Sequence, residues 1–236
     1  MSTVPEFAYS NLSGRPPGRL VSVAGRVLRG VADVQRDVTP FGEAWQRDNV
    51  RALGETGPLW VALGDSLTQG VGAPTHDRGW VGQLRDRLRA GGTPVRVVNL
   101  GVSGAKTADV LGRQLPALEL LDAALVTLMI GSNDLMRPRD RRGLVERFER
   151  ILHRLPPRTV VTTLPNPSRV AGAVNAVIAD VAGERDLVVA ELRDPRLGSW
   201  RGRLAADHFH PNERGYQGIA EVVADSITAA GRPLIE

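Results

Sequence analysis

From Leu59 onwards, short apolar runs alternate with longer segments in which apolar residues recur every three or four positions. The short runs are typical of buried strands, and the longer segments are typical of amphipathic helices. Continuous apolar strands separated by helices predict a parallel sheet covered on both faces, which is a three-layer α/β/α fold. The predicted strands are Leu59–Leu63, Val95–Leu100, Ala124–Ile130, Thr159–Leu164 and Leu187–Ala190, and the predicted helices are Trp80–Ala90, Thr107–Leu115, Arg142–Leu155, Val170–Ala182 and Arg214–Ala229.

The first 56 residues do not follow this alternation, and we assign them to an N-terminal extension that precedes the domain at residues 57–236. Met1–Arg19 is rich in Pro, Gly, Ser and Arg, which predicts an irregular or mobile arm. Leu20–Val38 has the apolar spacing of an amphipathic helix, and we expect Phe41 and Trp45 to belong to the same packed extension. We favour packing of this helix on its own domain or on a second copy in a homodimer over contact with a membrane surface.

Composition excludes several classes of protein. With 42% hydrophobic and 24% charged residues, the chain is typical of a globular protein. No nucleic-acid partner is expected, because 26 acidic residues nearly balance 30 basic ones and aromatic residues are only 4%. The chain has no cysteine, no metal-ligand spacing and no phosphate-binding loop, so no cofactor and no metal site are expected. It also lacks a secretory signal pattern and a membrane-spanning run, which favours the cytoplasm.

Small or polar residues follow three of the predicted strands directly. Ser66 comes after the first strand, Gly101 after the second and Asn133 after the third. Ligands of open α/β sheets bind beyond the carboxyl ends of the strands, so these residues are expected to meet in one crevice. Ser66 also stands where a helix can begin, next to backbone N–H groups that stabilise negative charge. The alternative is that Ser66 only caps that helix.

Four short motifs occur in order along the chain. They are Gly64-Asp65-Ser66-Leu67, Asn99-Leu100-Gly101-Val102-Ser103-Gly104, Gly131-Ser132-Asn133-Asp134 and Asp207-His208-Phe209-His210-Pro211. Each is weak alone, but the ordered set resembles the conserved blocks of the SGNH (GDSL-type) hydrolase family. The resemblance covers Leu59 to about Ala230. It implies a flavodoxin-like fold and hydrolysis of an ester through an acyl-serine intermediate.

The resemblance also implies a catalytic triad of Ser66, His210 and Asp207. A serine hydroxyl is a poor nucleophile until a base takes its proton, and His210 is the candidate base. Asp207, three residues earlier, can fix the histidine tautomer. His208 is the competing base. Without the other motifs, an Asp and a His in a loop are more often surface polar residues.

Three oxyanion donors follow from the same resemblance: the backbone N–H groups of Ser66 and Gly101 and the side-chain amide of Asn133. Glycine lets a backbone approach closely, and an amide is a neutral donor at any pH. The alternatives are a plain turn glycine and a helix cap. For Asp65 and Asp134 we favour a structural role that supports the loops.

Substrate-binding residues are harder to assign. Arg137 and Arg139 belong to an arginine-rich run after the third motif and could hold a phosphate or carboxylate, although a solvated helix start is the favoured interpretation. Arg78 and Trp80, after the first motif, could line the pocket.

The sequence therefore predicts a serine acyl hydrolase, that is, an esterase, lipase or deacylase, acting on a small-molecule ester or acyl-CoA. One alternative is an acyltransferase that moves a short or medium acyl group to the hydroxyl of a carbohydrate acceptor. A second, from another class, is a non-catalytic module that binds carbohydrate or lipid. The second is disfavoured because every family catalytic position carries the expected residue.

Overall fold

Five parallel strands form a single sheet in the computed structural model, which describes residues 7–14 and 29–231. The order is β2-β1-β3-β4-β5, the flavodoxin-like order, so the predicted fold class is confirmed. This order places the carboxyl ends of β2, β1 and β3 side by side. The strands are β1 (Leu59–Gly64), β2 (Arg96–Asn99), β3 (Leu125–Met129), β4 (Val160–Thr162) and β5 (Val188–Ala190).

Helices cover the sheet, and all five predicted helices are present. The predicted helix Arg142–Leu155 begins later than expected, because Gly143 takes a left-handed φ of 64° and separates two helices. The helices are α1 (Arg29–Gly54), α2 (Ser66–Gln69), α3 (Trp80–Ala90), α4 (Thr107–Asp109), α5 (Leu115–Leu118), α6 (Ser132–Leu135), α7 (Pro138–Arg141), α8 (Leu144–Arg154), α9 (Arg169–Arg185) and α10 (Glu213–Ala229), with a π-helical turn at Val110–Gln114 and 3₁₀ turns at His76–Arg78 and Pro195–Leu197.

Strand β1 shows why the strand sequences are continuously apolar. All six of its residues are buried. Leu59, Val61 and Leu63 pack with residues of α8 and α9 on one face of the sheet. Trp60 and Ala62 pack with residues of α3 and α10 on the other. Because both faces are covered, neither side of the strand has a position for a solvated polar residue.

The described part of the N-terminal extension packs against the α/β domain. Of the predicted helix Leu20–Val38, the residues before Arg29 lie outside the described part. From Arg29 the helix continues past Val38 to Gly54, with Pro40 inside it. Phe41 and Trp45 are buried on this helix. Across residues 7–14 and 29–231, no helix combines the length and the apolar character that a membrane crossing needs.

Residues 7–14 are irregular, as predicted for the N-terminal arm, but they pack against the domain instead of projecting into solvent. The side chain of Asn11 is buried, with only 1% of its surface exposed. The rest of the predicted arm, Met1–Glu6 and Arg15–Arg19, lies outside the described residues.

Candidate active site

Ser66 is the first residue of α2, directly beyond the carboxyl end of β1. A tight turn at Gly64 makes this possible: a Cβ there would lie 2.1 Å from Thr68 Oγ1 and 2.4 Å from Met129 O. The Gly64 φ of 156° is also unfavourable for a larger residue. The Gln114 side chain holds this turn, accepting from Gly64 N–H and donating to Gly64 O, each at 2.8 Å. This turn therefore fixes Ser66 at the carboxyl end of β1.

His210 and Asp207 come from the loop that precedes α10 and reach Ser66. His210 Nε2 lies 3.0 Å from Ser66 Oγ, and His210 Nδ1 lies 2.6 Å from Asp207 Oδ2. His208 takes a left-handed φ of 55° and is exposed, and its N–H donates to Ala205 O. Of the two histidines, His210 is thus the one beside the serine.

The local turn also shapes the electrostatics of Asp207. Burial alone would raise the pKa of this carboxyl, but hydrogen bonds and the charge of His210 act in the opposite direction. Asp207 Oδ1 accepts the backbone N–H groups of Phe209 and His210, both at 3.0 Å. The net result is a pKa of Asp207 below its ordinary value. The carboxylate stays charged near neutral pH, as required of a group that orients an imidazole.

Gly101 does not offer the free N–H that we predicted. Its N–H donates to Asn99 Oδ1 at 2.8 Å, and the residue is buried. Gly104, three residues later in the same motif, is exposed and has a left-handed φ of 78°. Over residues 7–14 and 29–231, neither Ser66 N–H nor Gly104 N–H has an assigned acceptor. The motif glycine with a free donor is therefore Gly104, because the side chain of Asn99 occupies the N–H of Gly101.

The side-chain amide of Asn133 already has two acceptors. Its Nδ2 donates to Asp65 Oδ2 at 3.2 Å and to Ala105 O at 3.0 Å. Asn133 thus lies beside Asp65, the cap of α2, and beside Ala105, the residue after Gly104. One of these two hydrogen bonds must break, or be shared, before the amide can donate to a ligand.

Two buried aspartates support the loops around the site. Asp65 caps α2 by accepting from Leu67 N–H at 3.0 Å. Burial is the main cause that raises the pKa of Asp65 to about 7. Asp134 accepts from the N–H and the hydroxyl of Thr107, at 3.0 and 2.7 Å, and from Arg147 at 3.3 Å. These contacts tie α6 to the start of α4.

Trp80 was predicted to line the pocket, and the structure contradicts this. Its side chain is fully buried on α3, with its ring centroid 5.9 Å from that of Trp60. The aromatic residue belongs to the core because α3 presents that side to the sheet. Arg78 is exposed and forms an ion pair with Glu213 at the start of α10. It lies on the same side of the fold as the loop that carries His210.

The predicted arginine-rich run is only partly engaged in internal contacts, and Arg139 is exposed. Asp140 pairs with Lys106 Nζ at 2.8 Å and with Arg139 at 3.7 Å. Arg141 Nε donates to Leu135 O at 2.8 Å. Arg137 is the residue directly before the first turn of α7. Burial acts to raise the pKa of Asp140, but Lys106, with smaller contributions from Arg139 and Arg137, lowers it overall. The exposure of Arg139 at the start of α7 matches the solvated helix start that the sequence favoured, and binding of substrate by Arg137 and Arg139 stays a prediction.

Two exposed apolar side chains next to the motifs were missed. Phe209 is 47% exposed, and its ring stands perpendicular to that of His210 with centroids 4.9 Å apart. Met136 is 55% exposed, three residues after Asn133. Phe209 lies inside the fourth motif and Met136 lies just after the third, and these positions are the sequence signal that could have identified them. In the described part of the chain, no group of three His, Asp or Glu residues is arranged to hold a metal ion.

The fold and the site define an α/β protein with a Ser–His–Asp cluster at the carboxyl edge of a parallel sheet. The sequence pattern of the GDSL-like Lipase/Acylhydrolase family matches residues 62–217. The chain belongs to this family, as its motifs predicted.

Individual relatives agree with this assignment. Esterase TesA of Pseudomonas aeruginosa is 31% identical over 166 residues, which cover 64% of this chain and 78% of that protein. A lipase/acylhydrolase from Enterococcus faecalis has a similar structure, with a TM-score of 0.61 and 22% identity over 75% of this chain and 98% of that one. Esterase EstA from Pseudoalteromonas sp., in a structure inhibited by monoethylphosphonate, gives a TM-score of 0.58 and 20% identity over 72% and 97%.

Proposed function

We propose that this chain is a serine acyl hydrolase that forms an acyl-enzyme intermediate on Ser66. The observation that carries the proposal is the continuous chain from Ser66 Oγ to His210, 3.0 Å, and from His210 to Asp207, 2.6 Å. These distances are those over which a histidine can take a proton from a serine hydroxyl and be oriented by a carboxylate.

Two chemical steps follow from this geometry. Ser66 Oγ attacks the ester carbonyl while its proton passes to His210 Nε2, and the tetrahedral intermediate collapses as that proton moves to the departing alcohol. Water then attacks the acyl-serine ester, giving its proton to His210, which returns it to Ser66 Oγ as the carboxylic acid leaves. Asp207 keeps the proton of Nδ1 in place and stabilises the imidazolium in both steps.

For the oxyanion we propose the N–H groups of Ser66 and Gly104 together with the Asn133 amide. The first two are free donors among the described residues. The third becomes available when a ligand oxygen replaces Asp65 Oδ2, the more distant of its two acceptors at 3.2 Å. Loss of one such donor typically lowers kcat on the order of a hundred- to a thousand-fold.

An apolar acyl group suits the surroundings of the serine. Phe209 packs against His210 and remains 47% exposed, so its free face can cover a hydrocarbon chain. Met136 offers a second, more adaptable apolar surface near Asn133. The names of the relatives, an esterase among the proteins and a lipase/acylhydrolase among the structures, support an ester substrate.

The test is hydrolysis of p-nitrophenyl esters with acetyl, butyryl and octanoyl groups. We expect activity that Ser66→Ala reduces by about a thousandfold or more. Ser226→Ala is the matched control, because this serine lies on α10 and its hydroxyl donates to Val222 O at 2.8 Å. Adding a sugar acceptor distinguishes hydrolysis from transfer, since transfer yields the acylated sugar. Equal activity of the Ser66→Ala variant would refute the proposal.

A further inference from the structure

The segment 7–14, defined here as the N-terminal strap, lies before the part of the chain that matches the family. Its side chains bind three consecutive carbonyl groups at the end of β2. Asn11 Nδ2 donates to Asn99 O at 2.7 Å and to Gly101 O at 3.0 Å. The hydroxyl of Tyr9 donates to Leu100 O at 2.6 Å. The strap is therefore attached to the backbone just before Gly104.

A second route leads from the strap to the same loop. Gln69, at the end of α2, donates from Nε2 to Asn11 O at 2.8 Å and accepts from Ser103 N–H at 3.0 Å. Ser103 is the neighbour of Gly104. The strap thus contacts both ends of the turn that presents the free N–H of Gly104, directly at Gly101 and through Gln69 at Ser103.

The position of β2 explains why this loop needs support. β2 is an edge strand, so one side of its backbone has no neighbouring strand. Asn49 of α1 takes that place: its Oδ1 accepts Asn99 N–H at 2.8 Å, and its Nδ2 donates to Asn99 O at 2.8 Å and to Asn11 Oδ1 at 3.0 Å. The N-terminal strap and α1 together supply the hydrogen-bond partners that a neighbouring strand would supply at the end of β2.

The network is buried and its members are bonded to one another. Asn11, Asn49, Gln69 and Asn99 are each at most 3% exposed. Inside a protein such bonds are strong, and an unpaired member is costly, so the network has one favoured arrangement. The Oδ1 of Asn11 and both N–H groups of its amide are in use. Removing this one side chain leaves several buried polar groups without a partner.

We propose that Asn11 is a positioning residue of the active site, which holds the Asn99–Gly104 loop so that Gly104 N–H points at the developing oxyanion. This inference rests on the proposed serine hydrolase function. It assigns the strap, which lies outside the family match at residues 62–217, a part in catalysis. Asn11 touches neither substrate nor reacting atoms and acts only through the loop.

The test compares Asn11→Asp and Asn11→Ala with the wild type in the full-length chain. Asn11→Asp keeps the shape but turns two donors into a carboxylate facing two carbonyl oxygens. We expect kcat to fall about ten- to a hundredfold, with KM within about twofold, because a misplaced donor weakens only the transition state. Affinity for a trifluoromethyl ketone transition-state analogue should fall by the same factor. The pH profile should keep its shape, because Ser66, His210 and Asp207 are untouched.

A matched control separates positioning from stability. Thr127→Val removes one buried hydrogen bond, from Trp60 Nε1 at 3.0 Å, in the middle of the sheet. It should lower the melting temperature while leaving kcat and the affinity for the analogue within about twofold. Tyr9→Phe, which loses only the bond to Leu100 O, is the milder variant if the Asn11 variants do not fold. Loss of stability in Asn11→Ala and Tyr9→Phe with unchanged kcat and analogue affinity would overturn the inference.

Hydrogen exchange keeps this inference distinguishable from the proposed function. If wild-type protein shows no ester hydrolysis, the proposed function fails, and exchange of the amides in residues 99–104 still tests the strap. Faster exchange there in Asn11→Asp, with no change in Thr127→Val, is the expected result. Equal exchange in wild type and Asn11→Asp would refute the supporting role of the strap.

Discussion

Substitution of Asp65 by asparagine should change how the stability of the protein depends on pH. The carboxyl is buried, with 1% of its surface exposed, and burial is the main cause that raises its pKa from 3.8 to about 7. In the unfolded chain the same group ionises near its ordinary value. Between these two pH values, the folded protein binds a proton that the unfolded chain has released.

The direction and the size of the pH dependence of stability follow from this difference in proton binding. Because the folded state binds more protons, the free energy of unfolding falls as pH rises from about 4 to about 7. One pKa unit corresponds to about 1.4 kcal/mol, so the whole decline from this group is roughly 4 kcal/mol. The part between pH 4.5 and 8 is about 3 kcal/mol. Asp65→Asn cannot ionise and lacks this decline.

Urea denaturation of both proteins at pH 4.5, 6 and 8 measures the effect. Relative to wild type, Asp65→Asn should gain about 3 kcal/mol in free energy of unfolding between pH 4.5 and 8, at an unchanged denaturant slope. Using the difference between the two proteins removes the contribution of the other carboxylates. Asp122→Asn, at an exposed position, is the control. A parallel pH dependence of Asp65→Asn and wild type, within about 1 kcal/mol, would show that folding does not raise the pKa of Asp65.

Four further substitutions test individual assignments. Asp207→Asn should lower kcat for ester hydrolysis about a thousand- to ten-thousandfold, because the imidazole loses the carboxylate that fixes its tautomer; a loss below tenfold would contradict its assigned role. Trp80→Ala should lower the free energy of unfolding in urea by about 3–5 kcal/mol, since the residue is core; an increase in KM without loss of stability would instead indicate a pocket wall. Gly101→Ala should lower the free energy of unfolding by about 1–3 kcal/mol, because its Cβ would lie 2.9 Å from Asn99 Oδ1. At Gly104 a Cβ meets open space, so thermal unfolding should show the smaller loss for Gly104→Ala, from its φ of 78° alone.

The sheet and the contact between Asp207 and His210 could be predicted because their signals are local. Strand β1 is apolar throughout because both of its faces are covered, and such a run is visible in one sequence. Asp207 and His210 are three residues apart in one turn, so their proximity follows from sequence spacing. Only the approach of this loop to Ser66, 144 positions away, depended on the resemblance to a family.

The sequence predictions that were wrong or incomplete concern residues whose surroundings are set by tertiary contacts. Gly101 and Gly104 occur in one motif, and the side chain of Asn99 decides which N–H remains free. Asn11 lies among residues typical of a loose arm, and its burial arises from contact with an edge strand 88 positions later in the chain. Trp80 is an aromatic residue close to a motif, which made it a candidate for the pocket wall. The side of α3 on which it lies faces the sheet.

Covalent labelling tests whether Ser66 is a nucleophile that His210 activates. Intact-protein mass spectrometry after exposure to a fluorophosphonate should show one adduct on wild type and on Ser226→Ala. Ser66→Ala should show none, and His210→Ala should label far more slowly. Peptide mapping should place the adduct on Ser66. An adduct that persists on Ser66→Ala, or a folded wild-type protein that never reacts, would show that Ser66 is not an activated nucleophile.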